Sequence, residues 1–119
     1  MTDRRILGIG VISLGWMGRL HARSYRAIAE RFPELGVVPR LVAAADPVDQ
    51  VRQEAVDNLG FERAYADYRE LLADPEVEAV SICAPNFLHH EMALAAVKAG
   101  KPFWIEKPMG VSAAQSREI

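Results

Sequence analysis

Three nearly continuous apolar runs, Ile6–Ile12, Arg40–Ala45 and Val77–Ala84, divide the chain. Unbroken runs of this kind suit parallel strands covered on both faces, and alternating runs suit sheets with one wet face. Between them the apolar positions follow a helical period. Over Trp16–Arg31, Met17, Leu20, Ser24, Ala27 and Ile28 form one stripe, predicted to face a sheet, with Arg19, Arg23, Arg26 and Glu30 on the opposite, solvated side. Phe32–Pro39 reads as a connecting loop. Val48–Leu59 predicts a short amphipathic helix closed by Gly60, and Phe61–Tyr65 a short strand. Asp67-Tyr68-Arg69-Glu70 has the spacing of a capping box and opens a helix through Leu72, before the Asp74-Pro75 turn. The period over His89–Ala99 predicts a helix burying Leu88, Met92, Ala95 and Ala99, with Gly100 as its cap. Pro102–Ile105 is a last strand, and Ser112 is placed to cap one more helix. Strands alternate with helices throughout, so right-handed crossovers predict an α/β fold with a doubly wound parallel sheet, occupying residues 1–119 as one domain.

The first junction carries the candidate chemistry. Ile6–Ala22 reads I-L-G-I-G-V-I-S-L-G-W-M-G-R-L-H-A, a strand, a turn of small residues and a helix start. In such a junction a cofactor's pyrophosphate rests on backbone N–H groups at the helix N-terminus. Two glycine frames compete. Gly8-x-Gly10-x-x-Ser13 leaves a stub of a strand and starts a helix with a glycine inside it. Ser13-x-Gly15-x-x-Gly18 leaves a full strand and a clean helix from Trp16, and is the frame adopted. Its first position is serine where glycine usually makes the tight turn, which requires the serine to keep a negative φ. Asp46, at the tip of the second strand, is suited to accept from both hydroxyls of a ribose and to repel a 2′-phosphate, favouring NAD over NADP. Its separation from the glycines exceeds the usual ~20 residues by the length of the Phe32–Pro39 loop. Pro85-Asn86 breaks the third long strand on the same sheet edge, where open α/β sheets bind ligands. His21, one turn into the first helix, reads as a partly buried structural histidine.

Composition narrows the class. Of 119 residues half are hydrophobic and a quarter charged, with a net charge of −2, so nothing suggests nucleic acid as a partner. Cys83 is the single cysteine, which rules out an internal disulfide and a cysteine-based metal site and fits a reducing, cytoplasmic setting. It reads as a small core side chain. No stretch approaches the roughly 20 apolar residues of a membrane span. Thr2–Leu7 has the twin arginines of an export signal, but the apolar run behind it is the glycine-bearing strand and no small-x-small cleavage site follows.

Two later stretches make the reading specific. Ala84-Pro85-Asn86-Phe87-Leu88-His89, then Ala99-Gly100-Lys101, then Phe103-Trp104-Ile105-Glu106-Lys107-Pro108, together with G-W-M-G-R-L-H-A, closely resemble the N-terminal half of the Gfo/Idh/MocA oxidoreductases (glucose–fructose oxidoreductase, inositol dehydrogenase and rhizopine-catabolism proteins). The resemblance covers almost the whole chain. It implies a Rossmann fold and hydride transfer between NAD(P) and a secondary alcohol of a sugar or cyclitol. By position it implies that Ser13, Leu14, Gly15, Trp16, Met17 and Gly18 hold the pyrophosphate and Asp46 the adenosine ribose. Ala84, Pro85, Asn86 and His89 would line the nicotinamide-side ribose, and Glu106 and Lys107 would flank the nicotinamide, with Lys107 reaching toward the reacting hydroxyl. Without the resemblance, Glu106-Lys107-Pro108 reads as an ordinary strand end and His89 or His90 as a surface histidine. Proteins of this family are about three times as long. Their second domain binds the substrate, carries the main catalytic histidine and forms a homo-oligomer, so this chain is expected to bind cofactor with little turnover. A stand-alone module that senses dinucleotide or dimerises is the alternative.

Overall fold

The computed structural model describes residues 4–119; residues 1–3, the front of the twin-arginine stretch, lie outside it. Five parallel strands, β1 (Arg5–Ile12), β2 (Val37–Ala45), β3 (Arg63–Tyr65), β4 (Ala79–Ile82) and β5 (Phe103–Ile105), form one sheet in the order β3-β2-β1-β4-β5. Helices α1 (Trp16–Arg31) and α2 (Asp49–Asp57) cover one face, where Ala22 and Ala55 pack with Ile9, Val11, Leu41 and Ala44. Helices α3 (Tyr68–Ala73) and α4 (His89–Lys98) cover the other, where Leu71, Met92, Ala93 and Ala96 meet Ile12, Val42, Val80 and Ile82. A final helix, α5 (Ala113–Glu118), starts where Ser112 Oγ accepts the Gln115 N–H. Among the described residues no helix is long and apolar enough to cross a membrane.

The turn after β1 follows the second glycine frame. Gly8 and Gly10 lie inside the strand, and Gly15 is the residue before α1. A Cβ on Gly18 would stand 2.0 Å from the Ser13 carbonyl oxygen, so only glycine lets α1 come this close to the turn. A Cβ on Gly15 would meet nothing within 4 Å. Ser13 overturns the expected negative φ: it takes φ 75°, the left-handed region that glycine adopts freely. The strain is held in place because its N–H donates to Ala45 O at 2.7 Å, tying the turn to the end of β2.

Other expectations are corrected by packing. The Phe32–Pro39 stretch is a short 3-10 turn, Pro33–Leu35, and β2 starts already at Val37. Pro39 fits the strand because β3 reaches only Ala43–Ala45, so β2 has a neighbour on one side there. Helix α4 buries His89, Met92, Ala93 and Ala96, and Ala99 is exposed. The helix starts against the sheet with His89 inward, which rotates its buried face from the predicted one. The stripe on α1 moves furthest. Gly18 and Ala22 face the sheet, while Met17, Leu20, Ala27 and Ile28 line an open groove of about 630 Å³ that ends at Trp104. The helix meets the sheet through Gly18 and Ala22, with Tyr25 packed beside them, and the bulky apolar stripe is turned aside. Arg19 is drawn inward, its guanidinium donating to Leu14 O at 3.1 Å and to Glu54 at 2.7 Å.

At the opposite end of the sheet, Asp74 gathers the chain. Its buried carboxylate accepts from Arg63 Nε at 2.8 Å, the Tyr65 hydroxyl at 2.9 Å and the Glu76 N–H at 2.9 Å. Arg63 beside it lowers its pKa to about 2. A folded-state pKa below the ordinary 3.8 means that Asp74 stabilises the fold fully above that value, and that this contribution drains away as pH falls through about 2. Denaturant melts of Asp74→Asn should show a loss of about 2 kcal/mol at neutral pH, shrinking as the pH of the comparison falls from 4 toward 2. Ser13→Gly should stabilise the fold by about 0.5–1 kcal/mol, read as a higher denaturant midpoint, because it removes the left-handed strain without a side-chain hydrogen bond to lose.

Candidate dinucleotide site

A cleft of about 620 Å³ opens at the carboxyl ends of β1, β2 and β4, where the strand order reverses between β1 and β4. Ser13, Asp46, Pro47, Tyr68, Pro85 and Phe87 stand around it. The N-terminus of α1 emerges at its rim with no side-chain cap and no acidic residue in its first turn. Its leading N–H groups and the positive end of a 16-residue helix therefore face open space above Gly15, a geometry that suits an anion. The donor set and the room over Gly15 fit a diphosphate.

Asp46 is 7 % exposed, and its carboxylate already works inside the protein. Oδ2 accepts the Leu14 N–H at 3.0 Å and Oδ1 the Val48 N–H at 2.9 Å, joining the glycine turn to the tip of β2. Leu14 is thereby withdrawn from the anion cradle: its side chain is buried and its N–H is taken by Asp46. Trp16, by contrast, is 75 % exposed at the rim. The Met17 side chain belongs to the apolar groove beside α1, leaving its backbone as its contribution to the helix N-terminus.

On the far side, Ala84 and Pro85 line the cleft, and Asn86 opens a 3-10 turn to Leu88, exposed to solvent. His89 is neither a surface residue nor a cleft residue. It is fully buried, with Nε2 and Nδ1 each 2.7 Å from a carbonyl oxygen, that of Ala84 and that of Pro108. Its ring ties the end of β4 to the turn after β5, so it shapes the site through the backbone it holds.

The turn after β5 is also gripped from the α1 side. His21 Nε2 donates to Glu106 Oε2 at 2.9 Å, and the Trp104 indole N–H approaches the same oxygen at 3.3 Å. The His21 bond, the larger influence, holds the Glu106 carboxyl below the usual range. His21 Nδ1 lies 2.9 Å from Ser81 Oγ, which is 2.6 Å from the Tyr25 hydroxyl. Lys107 is exposed at the end of this turn. Burial, with Glu106 nearby, pushes the Cys83 thiol up to about 12, which leaves it unreactive at neutral pH. Among the described residues no group of three or more His, Cys, Asp or Glu is gathered in a way that could hold a metal ion.

The structure thus brings Ser13, Asp46, Ala84 and Pro85 to one cleft, with Gly15 and Trp16 at the adjoining start of α1 and Gly18 buried against the Ser13 carbonyl. Glu106 and Lys107 form a separate cluster with His21. Sequence reasoning missed Ser81 and Tyr25. The one available signal was a serine inside the apolar strand V-S-I, which a buried hydroxyl with a partner explains.

Comparisons with known proteins agree with this geometry. The family model described as "Oxidoreductase family, NAD-binding Rossmann fold" (GFO_IDH_MocA) matches residues 7–119. Levoglucosan dehydrogenase of Pseudarthrobacter phenanthrenivorans is 35 % identical over 115 residues, 95 % of this chain and 29 % of that enzyme. Inositol 2-dehydrogenase of Pseudomonas syringae pv. syringae is 39 % identical over 115 residues, 95 % of this chain and 32 % of that enzyme. Among solved structures, an NAD binding oxidoreductase from Klebsiella pneumoniae superposes with a TM-score of 0.89 at 45 % identity, over 94 % of this chain and 30 % of that one. Levoglucosan dehydrogenase in complex with NADH superposes with a TM-score of 0.90 at 34 % identity, over 95 % of this chain and 30 % of that one. The chain spans about 30 % of the length of these relatives. With this strand order, this glycine turn and this match over residues 7–119, the chain belongs to the Gfo/Idh/MocA oxidoreductase family and carries its NAD-binding Rossmann fold.

Proposed function

We infer that this chain is the dinucleotide-binding part of a dehydrogenase that moves a hydride between NAD and a secondary alcohol of a sugar or cyclitol. The observation that carries the reading is the uncapped N-terminus of α1, opening beside the cleft at the point of strand reversal with free space over Gly15. Sugar and inositol dehydrogenases among the relatives support the substrate class.

In this reading the N–H groups at the start of α1, with Gly15 giving the room, hold the diphosphate. Asp46 faces the adenosine ribose. Each of its oxygens accepts one backbone N–H and keeps capacity for a hydroxyl donor, whereas a 2′-phosphate would meet a buried anion. Ala84, Pro85 and Asn86 line the nicotinamide-side ribose, with His89 supporting them from beneath. Lys107 offers a compact ammonium to the alcohol oxygen as its charge develops. NAD itself supplies the hydride acceptor. Hydride transfer needs the alcohol carbon held ~3–3.5 Å from the nicotinamide, and the substrate site and the proton-accepting histidine are expected outside these 119 residues. The chain by itself should therefore bind cofactor with little turnover of polyols.

Titration with NADH and NADPH, followed through tryptophan emission, tests the reading. NADH should quench saturably and NADPH should bind about tenfold or more weakly, because of Asp46. Gly15 has an ordinary φ of −70°, so Gly15→Ala should melt like the parent while losing about tenfold or more in NADH affinity, since the methyl fills the space a diphosphate needs. A folded chain that responds to neither nucleotide would refute the cofactor site.

A further inference from the structure

Strand β5 has three residues, lies at the edge of the sheet and ends in Glu106-Lys107-Pro108. An edge strand this short gives the turn after it few ladder bonds, the last being Glu106 N–H to Ile82 O at 3.1 Å. Besides the His89 contact at Pro108 O, the turn is held from α1, to which the Glu106 side chain reaches back. Its partner there, His21, is clamped on two sides: the Tyr25 and Trp104 rings stand edge-on to the imidazole, each with its centroid 6.5 Å away. The ring is 14 % exposed and the Glu106 side chain 21 %.

The hydrogen bonds fix which nitrogen does what. A carboxylate only accepts, so His21 Nε2 must carry a proton toward Glu106. With a neutral ring, Nδ1 then accepts from Ser81, and Ser81 accepts from Tyr25, so every hydroxyl is satisfied in one direction. With a protonated ring, Nδ1 donates to Ser81 and Ser81 to Tyr25, while the Nε2–H bond to Glu106 is unchanged. The grip on Glu106 is therefore the constant of the network. Ser81, fully buried in β4, is the fixed post that orients the ring.

We propose that His21 is a positioning residue for the nicotinamide end of the site: anchored by Ser81 and Tyr25, it holds the Glu106 carboxylate and thereby sets where Lys107 stands relative to α1. The same helix presents the diphosphate cradle at its first turn and His21 in its second, so one rigid element keeps the two ends of the site in register. The proposal deepens the cofactor reading above and rests on it.

The test compares NADH with ADP-ribose, which carries the diphosphate and both riboses but no nicotinamide ring, on the 119-residue chain. His21→Leu removes the donor to Glu106 and should weaken NADH about tenfold while ADP-ribose affinity stays within about twofold. His21→Gln, whose amide N–H can take the place of Nε2–H, should restore NADH to within about threefold of the parent, whereas His21→Asn, too short to reach, should not. If His21→Leu does not give a cooperative melt, the Gln and Asn pair decides alone. Long-range proton–nitrogen NMR of the free chain should find His21 Nε2 protonated, with a shift that moves in Glu106→Ala. Equal losses for NADH and ADP-ribose, no loss for either, or an unprotonated Nε2 would overturn the positioning role and leave the cofactor reading standing. A folded parent chain that binds neither ligand would overturn both.

Discussion

The close seat of α1 on the turn after β1 is the constraint on which the rest of the structure depends. A single atom at Gly18 would stand 2.0 Å from the Ser13 carbonyl oxygen, and the helix would have to lift. Lifting it would pull the helix N-terminus from the cleft rim and Arg19 from Leu14 O, and it would separate His21 from Glu106. The seat is reinforced from the neighbouring strand. Ser13 donates to Ala45 O, and Asp46 accepts from Leu14, so the turn hangs from the tip of β2 as much as from β1. The left-handed serine is tolerable in that setting because the two strands and the helix leave the backbone no alternative path.

Buried polar groups at the carboxyl edge share one logic. Asp46, Ser81 and His89 are each almost wholly enclosed; Asp46 and Ser81 have their hydrogen-bonding atoms matched, and His89 stands with a carbonyl oxygen 2.7 Å from each ring nitrogen. None of them merely fills space. Asp46 joins the glycine turn to β2, His89 joins β4 to the turn after β5, and Ser81 with His21 joins β4 to α1 and Glu106. Satisfied polar contacts of this kind are directional, and hydrophobic burial is not, so they can set loop ends where packing alone would leave several arrangements. The Asp74 cluster does the same for the opposite edge, where no ligand is expected.

Much of the architecture was legible because the relevant physics is local. Continuous apolar runs announced parallel strands, the choice between glycine frames followed from the helix that each would allow, and Ser112 was a cap by residue type and place. Where neighbours along the chain did not decide, the reading failed. Hydrophobic periodicity marked a stripe on α1 but could not say that the helix would turn its smallest residues, Gly18 and Ala22, to the sheet and leave Met17, Leu20 and Ile28 in an open groove. The phase of α4 was missed for a similar reason: His89 counted as polar, yet two backbone carbonyls waiting for its ring made it the most deeply buried residue of that helix's first turn.

The amino-acid sequence by itself determined the fold class, the place of the glycine turn and the family, since these rest on short-range patterns and on motifs whose residue types do one thing well. Only the tertiary structure decided which side chains reach the cleft and which hold it together. His89 and Leu14 passed from presumed ligand contacts to internal supports, and His21, Ser81 and Tyr25 emerged as one network. The reason is distance along the chain. His21 and Glu106 are separated by 85 positions, and their bond exists only after β1, β4 and β5 have been laid side by side.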